Sequence, residues 1–159
     1  MKKILFGITS LTLGGAEKVL VDLANELSKK YDVTILTIYA KGEFEKKLSP
    51  NVKLKTIYNF QFNDMSNIKK KITALKLLLL KKHFYKKYVK EDYDIEIAFL
   101  EGPITRLLGV KNKNTRKIAW VHNDITKVFG NDLKAKIKVA IDKKTYGKYQ
   151  TLVFVSKDN

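Results

Sequence analysis

From its third residue the chain runs through a short, nearly continuous apolar stretch, residues 3–9 (KILFGIT), and residues 32–39 (DVTILTIY) form a second one rich in β-branched side chains. Apolar runs without alternation predict strands buried on both faces. Between them Ala16, Val19, Leu20, Leu23, Ala24 and Leu27 recur at helical spacing, while Glu17, Lys18, Asp22, Asn25 and Glu26 fill the opposite face. Strand, helix and strand make a βαβ unit, so the strands are parallel and the crossover right-handed.

The alternation continues. Residues 52–58 (VKLKTIY) predict a third strand after the Pro50 turn, and residues 68–90 predict a long basic helix. A fourth strand over 94–100 (DIEIAFL) is followed by a short helix over 104–108, a fifth strand over 117–121 (KIAWV), a helix over 132–149 and a sixth strand over 151–155 (TLVFV). Strands alternating with helices in this way predict an α/β fold with a doubly wound, mainly parallel six-stranded sheet. In open sheets of this kind ligands bind beyond the carboxyl ends of the strands. The residues that matter are therefore 10–15, 40–42, 101–103, 122–124 and Ser156. Only three residues follow Ser156, and the expectation is a single domain cut from something longer.

Composition narrows the classes. A 159-residue chain with 45% hydrophobic residues suits one globular domain, and the absence of cysteine removes disulfides, thiolate metal sites and a thiol nucleophile. No segment approaches the roughly twenty apolar residues of a membrane span. The opening MKKILFGITSLTLGGA fits a leader poorly, because Gly7, Thr9, Ser10 and Thr12 break the apolar run and no small-x-small cleavage site precedes Glu17. The net charge of +16 attracts phosphates in nucleic acid, lipid headgroups or acidic polymers. Of the 32 basic residues only Arg106 and Arg116 are arginines, a bias that an AT-rich genome also produces.

Each candidate has a chemical and a structural reading. Gly14-Gly15 opens a helix, where backbone N–H groups and the helix dipole favour an anion and no Cβ stands in the way; a plain tight turn explains the pair equally well, and neither GxxxxGK[ST] nor GxGxxG fits. His122 directly follows the fifth strand, where a neutral imidazole can hydrogen-bond a substrate hydroxyl; the alternative is a structural histidine. With His83 as the other histidine, no histidine-based metal cluster forms. Glu101 precedes Gly102-Pro103 and suits either sugar hydroxyls and base chemistry or the N-terminus of the next helix. Asn123 and Asp124 suit turns as well as ligands. On the 68–90 helix, Ile68, Ile72, Leu75 and Leu79 form a stripe that is expected to pack on the sheet. Lys69, Lys70, Lys71, Lys81, Lys82, Lys86 and Lys87 beside Phe84 and Tyr85 also suit an anionic bilayer. The case for nucleic acid is poorer, since arginine is nearly absent and no module motif occurs.

The segment GGAEKVLVDLANELSKKYDVTILT, with WVHND after the fifth strand and VFVS at the sixth, resembles the amino-terminal half of retaining glycosyltransferases of the GT-B fold. That family includes phosphatidylinositol mannosyltransferases and the bacterial glycosyltransferases of lipopolysaccharide and capsule. The resemblance covers nearly the whole chain and implies one Rossmann-like, acceptor-binding half of the fold, residues 1–159, with a carboxyl-terminal donor-binding half absent. It implies that Gly14 and Gly15 lie beside the donor diphosphate and the acceptor, and that His122 is the catalytic contact to the donor sugar. Glu101 and Asn123 would line the acceptor side, and Ser156 would point into the cleft.

The resemblance further implies transfer of a hexose-type sugar, with retention, from a nucleotide sugar such as a UDP-sugar to a glycan or glycolipid of the cell surface. No metal or other cofactor is expected, and the site is expected on the cytoplasmic side, at the inner face of the membrane. Without the donor half and its cations the chain alone is expected to be inactive, since electrostatic support of the leaving group is worth roughly several kcal/mol. Two other readings remain open: a basic Rossmann-like module that binds membrane or nucleic acid without catalysis, and a dinucleotide-binding oxidoreductase domain. The second would need GxGxxG and an acid after the second strand, which instead ends Tyr39-Ala40-Lys41.

Overall fold

A computed structural model describes residues 1–122 and 133–155, with side chains in the latter stretch from residue 139 onward. Among the described residues the elements are, in order, β1 (Lys3–Ile8), α1 (Gly15–Leu27), β2 (Asp32–Tyr39), a 3-10 turn (Glu43–Lys47), β3 (Lys53–Tyr58), α2 (Asn67–Leu79), α3 (Lys81–Tyr88), β4 (Ile95–Ala98), α4 (Pro103–Leu108), β5 (Arg116–Val121), α5 (Leu133–Tyr146) and β6 (Thr151–Phe154). All neighbouring strands pair in parallel, in the order β3-β2-β1-β4-β5-β6. The sheet is thus the expected doubly wound one, and its order reverses between β1 and β4.

Two apolar layers cover the sheet. On one face Leu20, Val21 and Ala24 of α1 and Phe44 of the 3-10 turn pack on Phe6, Ile8, Val33, Ile35 and Phe99. On the other, Leu77, Tyr85, Ile104, Leu107, Leu108 and Tyr149 pack on Leu5, Leu36, Ile38 and Ala98. Phe6 and Phe99 are fully buried and meet edge to face with centroids 6.2 Å apart. At Gly7 the helix α4 lies directly on β1: an added Cβ would stand 2.6 Å from Leu108 Cδ1 and 2.7 Å from Ile104 Cγ1. Arg106 of α4 grips Asp142 of α5 through Nε and Nη2 at 2.7 and 2.9 Å, tying the two helices together.

The stretch 68–90 departs from expectation in two ways. It is two helices rather than one, with Leu80 at φ −102° and ψ 20° between them. Its apolar stripe also faces outward: Ile68, Ile72, Leu75 and Leu79 are 73%, 48%, 55% and 71% exposed, whereas Thr73 and Leu77 are the buried residues of α2. The expected packing of that stripe on the sheet is therefore corrected. Thr73 can face inward because its hydroxyl donates back to the Lys69 and Lys70 carbonyls at 2.9 and 3.0 Å, which satisfies it without water.

At the amino edge of the sheet sits a buried polar cluster. Lys117 Nζ on β5 donates to Glu96 Oε2 on β4 at 2.5 Å and to the Leu108 carbonyl at 2.7 Å. Tyr85 of α3 donates its hydroxyl to Glu96 Oε1 at 2.5 Å. Burial holds the Lys117 ammonium below its ordinary value against the pull of Glu96, and burial together with the Glu96 hydrogen bond pushes the Tyr85 phenol well up. The break at Leu80 lets α3 present Tyr85 to this pair while α2 seats Leu77 in the core.

Candidate functional site

The carboxyl edge gathers loops from three adjacent strands. After β1 the chain reaches α1 through Gly14, its N-cap, which is extended and offers no side-chain cap to the first-turn N–H groups. Such donors, with about half a positive charge at the helix end, favour an anion or a polar oxygen, and the Glu17 carboxylate of the first turn already lies against Gly14. A Cβ on Gly15 would meet nothing within 4 Å, so this turn borders open space, whereas one on Gly14 would collide with the Glu17 carboxylate. After β4, Gly102 takes φ +96°, a conformation that disfavours any residue with a Cβ, and Thr105 closes the loop by donating to the Leu100 carbonyl at 2.6 Å.

His122 and Glu101 come together. The His122 backbone N–H donates to Glu101 Oε1, which ties the end of β5 to the turn before α4. The imidazole is half-buried, its ring centroid 5.3 Å from Phe99 and 6.3 Å from Trp120. Phe99 and Trp120 meet edge to face at 4.4 Å, so the histidine rests on a fixed aromatic floor. Gly14, Gly15, Glu101 and His122 therefore share one edge around the point of strand-order reversal, the position at which open parallel sheets bind ligands. Asn123 and Ser156 lie outside the described residues, as does Asp124.

A cavity of about 360 Å³ opens at the same edge beyond β1, β2 and β3. Its polar lining comes from Ser10, Thr12, Glu43, Gln61 and Asn63, beside the 41%-exposed ring of Phe62. Ser10 and Thr12 hydroxyls stand 3.4 Å apart, and Gln61 donates to the Lys41 carbonyl at 2.5 Å. Lys41 itself has φ +63°, an uncommon conformation for a residue with a Cβ, at the end of β2. Two backbone bonds to Thr9 O, from Ile38 at 3.1 Å and Tyr39 at 3.0 Å, hold the β1 and β2 loops against each other. Strand-end reasoning located Ser10 and Thr12 but missed Glu43 and the segment 61–63. The 3-10 turn that carries Glu43 leaves too short a periodic signal, and Phe62 looks like core until the loop after β3 is seen to run along the edge.

Hydroxyls, amides, one carboxylate and an aromatic ring thus line this cavity, and Lys70 Nζ stands 4.7 Å from the centroid of the Phe62 ring. Among the described residues no group of three or more metal-ligating side chains gathers.

A search of known proteins bears on this geometry. No family model matches the chain. Over 103 residues it is 39% identical to the Campylobacter jejuni "GalNAc-alpha-(1->4)-GalNAc-alpha-(1->3)-diNAcBac-PP-undecaprenol alpha-1,4-N-acetyl-D-galactosaminyltransferase". The chain is thus similar in sequence to part of a glycosyltransferase, and its fold is that of one Rossmann-like half of a GT-B protein. The aligned stretch takes in 64% of the chain and 26% of that relative's length, so the chain spans about a quarter of the curated protein it matches. The fold likeness extends further: with a TM-score of 0.55 and 10% identity, 98% of the chain superposes on 42% of the Arabidopsis thaliana UGT89C1 chain, solved in complex with UDP. The domain has its Gly14–Gly15 turn, its Glu101–His122 link and the 360 Å³ cavity on a single edge.

Proposed function

We propose that this domain is the acceptor-binding half of a nucleotide-sugar-dependent, retaining glycosyltransferase that extends a glycan or glycolipid of the cell surface. One observation supports the reading: the edge cavity combines a partly exposed aromatic ring with hydroxyl, amide and carboxylate groups. Sugar rings present C–H faces to aromatics and hydroxyls to amides and carboxylates. The acceptor sugar sits against Phe62, with Gln61, Asn63 and Glu43 on its hydroxyls. His122, braced by Phe99 and linked through its backbone to Glu101, orients the donor sugar, and the uncapped start of α1 faces the donor diphosphate. By the name of the Campylobacter relative, the acceptor is a sugar carried on a polyprenyl diphosphate and the donor supplies an N-acetylhexosamine.

The outward stripe of α2 adds the membrane. On a helix of 3.6 residues per turn Lys71 flanks Ile68, Ile72, Leu75 and Leu79 on one side, and Lys69 and Lys76 on the other. An apolar stripe between cations is the pattern of a helix lying in an anionic bilayer surface. No helix among the described residues is long and apolar enough to cross a membrane. The domain accordingly rests on the membrane that carries its acceptor, and the membrane-module reading becomes one part of the enzyme reading.

Saturation-transfer NMR with methyl α-N-acetylgalactosaminide tests the acceptor site. The wild-type chain is expected to give ligand signals that Phe62→Ala reduces at least fivefold with unchanged thermal unfolding. Equal signals from wild type and variant would remove the acceptor from this cavity.

A further inference from the structure

A second cavity, of about 660 Å³, opens at the opposite, amino edge of the sheet. It lies between the start of α3, the turn leading from α4 to β5 and the turn leading from α5 to β6. Lys81, Lys82, Lys111, Lys113 and Lys148 line it, Lys117 lies in its wall, and no carboxylate is among the described lining residues. Its size is that of a small-ligand pocket.

The simplest alternative is that these lysines balance helix ends. α4 and α5 both finish here, and each carboxyl end carries about half a negative charge. Together they offset roughly one ammonium. Glu96 already neutralises Lys117. Among the described residues none of the other five lysines takes part in an ion pair. Several positive charges therefore converge on one concave surface with no ion-paired carboxylate for five of them among the described residues. Lys148 registers this crowding: burial first, then Lys81, Lys144 and Lys82, hold its ammonium below the ordinary value.

We infer that the amino-edge cavity is an anion site that takes a phosphate-class ligand, separate from the sugar-transfer crevice at the carboxyl edge. A di- or polyanion there relieves the repulsion among the lysines and gains several charge-assisted hydrogen bonds. The phosphate can come from solution or from a lipid headgroup. Leu79 and Leu80, exposed at 71% and 49%, immediately precede Lys81, so a bilayer that receives the end of α2 also brings its headgroups to the mouth of the cavity. The site does not depend on the chain being a transferase.

Calorimetric titration of the full chain with sodium pyrophosphate tests the inference, using Lys82→Glu/Lys148→Glu against the charge-matched Lys30→Glu/Lys46→Glu. All four positions are exposed, and thermal unfolding verifies that each variant folds. One saturable site is expected, weakened at least tenfold by the cavity pair and less than twofold by the control pair. Flotation with phosphatidylcholine vesicles, with and without phosphatidylglycerol, identifies the source. Displacement from the anionic vesicles by saturating pyrophosphate assigns the headgroup, and unchanged flotation assigns free phosphate. The site is overturned if pyrophosphate shows no saturable binding, or if the two double variants weaken it equally.

Discussion

Lys117 and Glu96 are 2% and 0% exposed in their side chains, so the attraction between them works against the desolvation of both. Such a pair adds little net stability, but removing one partner strands a buried charge. Lys117→Met is therefore expected to lower the unfolding free energy by about 3–5 kcal/mol. In Glu96→Leu/Lys117→Met no charge is stranded, and only the Tyr85 hydroxyl and the Leu108 carbonyl lose their partner, at about 1–3 kcal/mol. Urea unfolding of Lys117→Met, Glu96→Leu and the double variant decides it: a double variant as unstable as the sum of the two singles would show that the pair is not coupled. The same residues mark what one sequence hides. In DIEIAFL and KIAWV a single Glu and a single Lys read as strand-end polar residues, because nothing in either run says that the other lies beside it. Pairing appears only once β4 and β5 are placed in register, Glu96 opposite Lys117.

At the scale of elements, the strands were legible because parallel strands buried on both faces leave unmistakable apolar runs. β2 matches its expected bounds, and the other strands differ by one or two residues at their ends. The direction of the α2 stripe was not legible. Periodicity identifies which face of a helix is apolar but not what it meets, and the inward face of α2 is seated by Thr73 and Leu77 alone. Substituting Ile72, Leu75 and Leu79 together by Gln separates the two possibilities. Core residues would cost about 2–5 kcal/mol each on such truncation of apolar packing, whereas exposed ones change stability by about 0.5 kcal/mol or less each. Unfolding within about 1.5 kcal/mol of wild type is expected, together with at least a tenfold loss of binding to phosphatidylglycerol vesicles. Retained vesicle binding would remove α2 from the membrane contact.

At the scale of the whole molecule, the two cavities differ in the charge of their described lining. Five lysines and Lys117 line the amino-edge cavity, while the described lining of the carboxyl-edge cavity holds none and has Lys70 beside it, over the Phe62 ring. That asymmetry bears on catalysis. Sugar transfer from a nucleotide sugar releases a diphosphate, and among the described residues the support at the Gly14–Gly15 turn itself is the start of α1, roughly half a positive charge, with the Glu17 carboxylate lying against it. Each 1.4 kcal/mol of missing transition-state support costs about a factor of ten in rate, and electrostatic support for such a group typically supplies about 3–4 kcal/mol per donor. The isolated 159-residue chain is accordingly expected to bind acceptor sugar but to transfer none from UDP-N-acetylgalactosamine to a polyprenyl-diphosphate-linked acceptor. Mixing it with a donor-binding half that brings its own cations should restore transfer, with a His122→Ala chain failing in the same mixture while still binding the methyl glycoside. A radiolabelled-sugar assay on extracted lipid reads all three. Transfer by the isolated chain above the protein-free blank would mean that this edge supports the leaving diphosphate without a second domain, and the division of labour between the two halves would have to be abandoned.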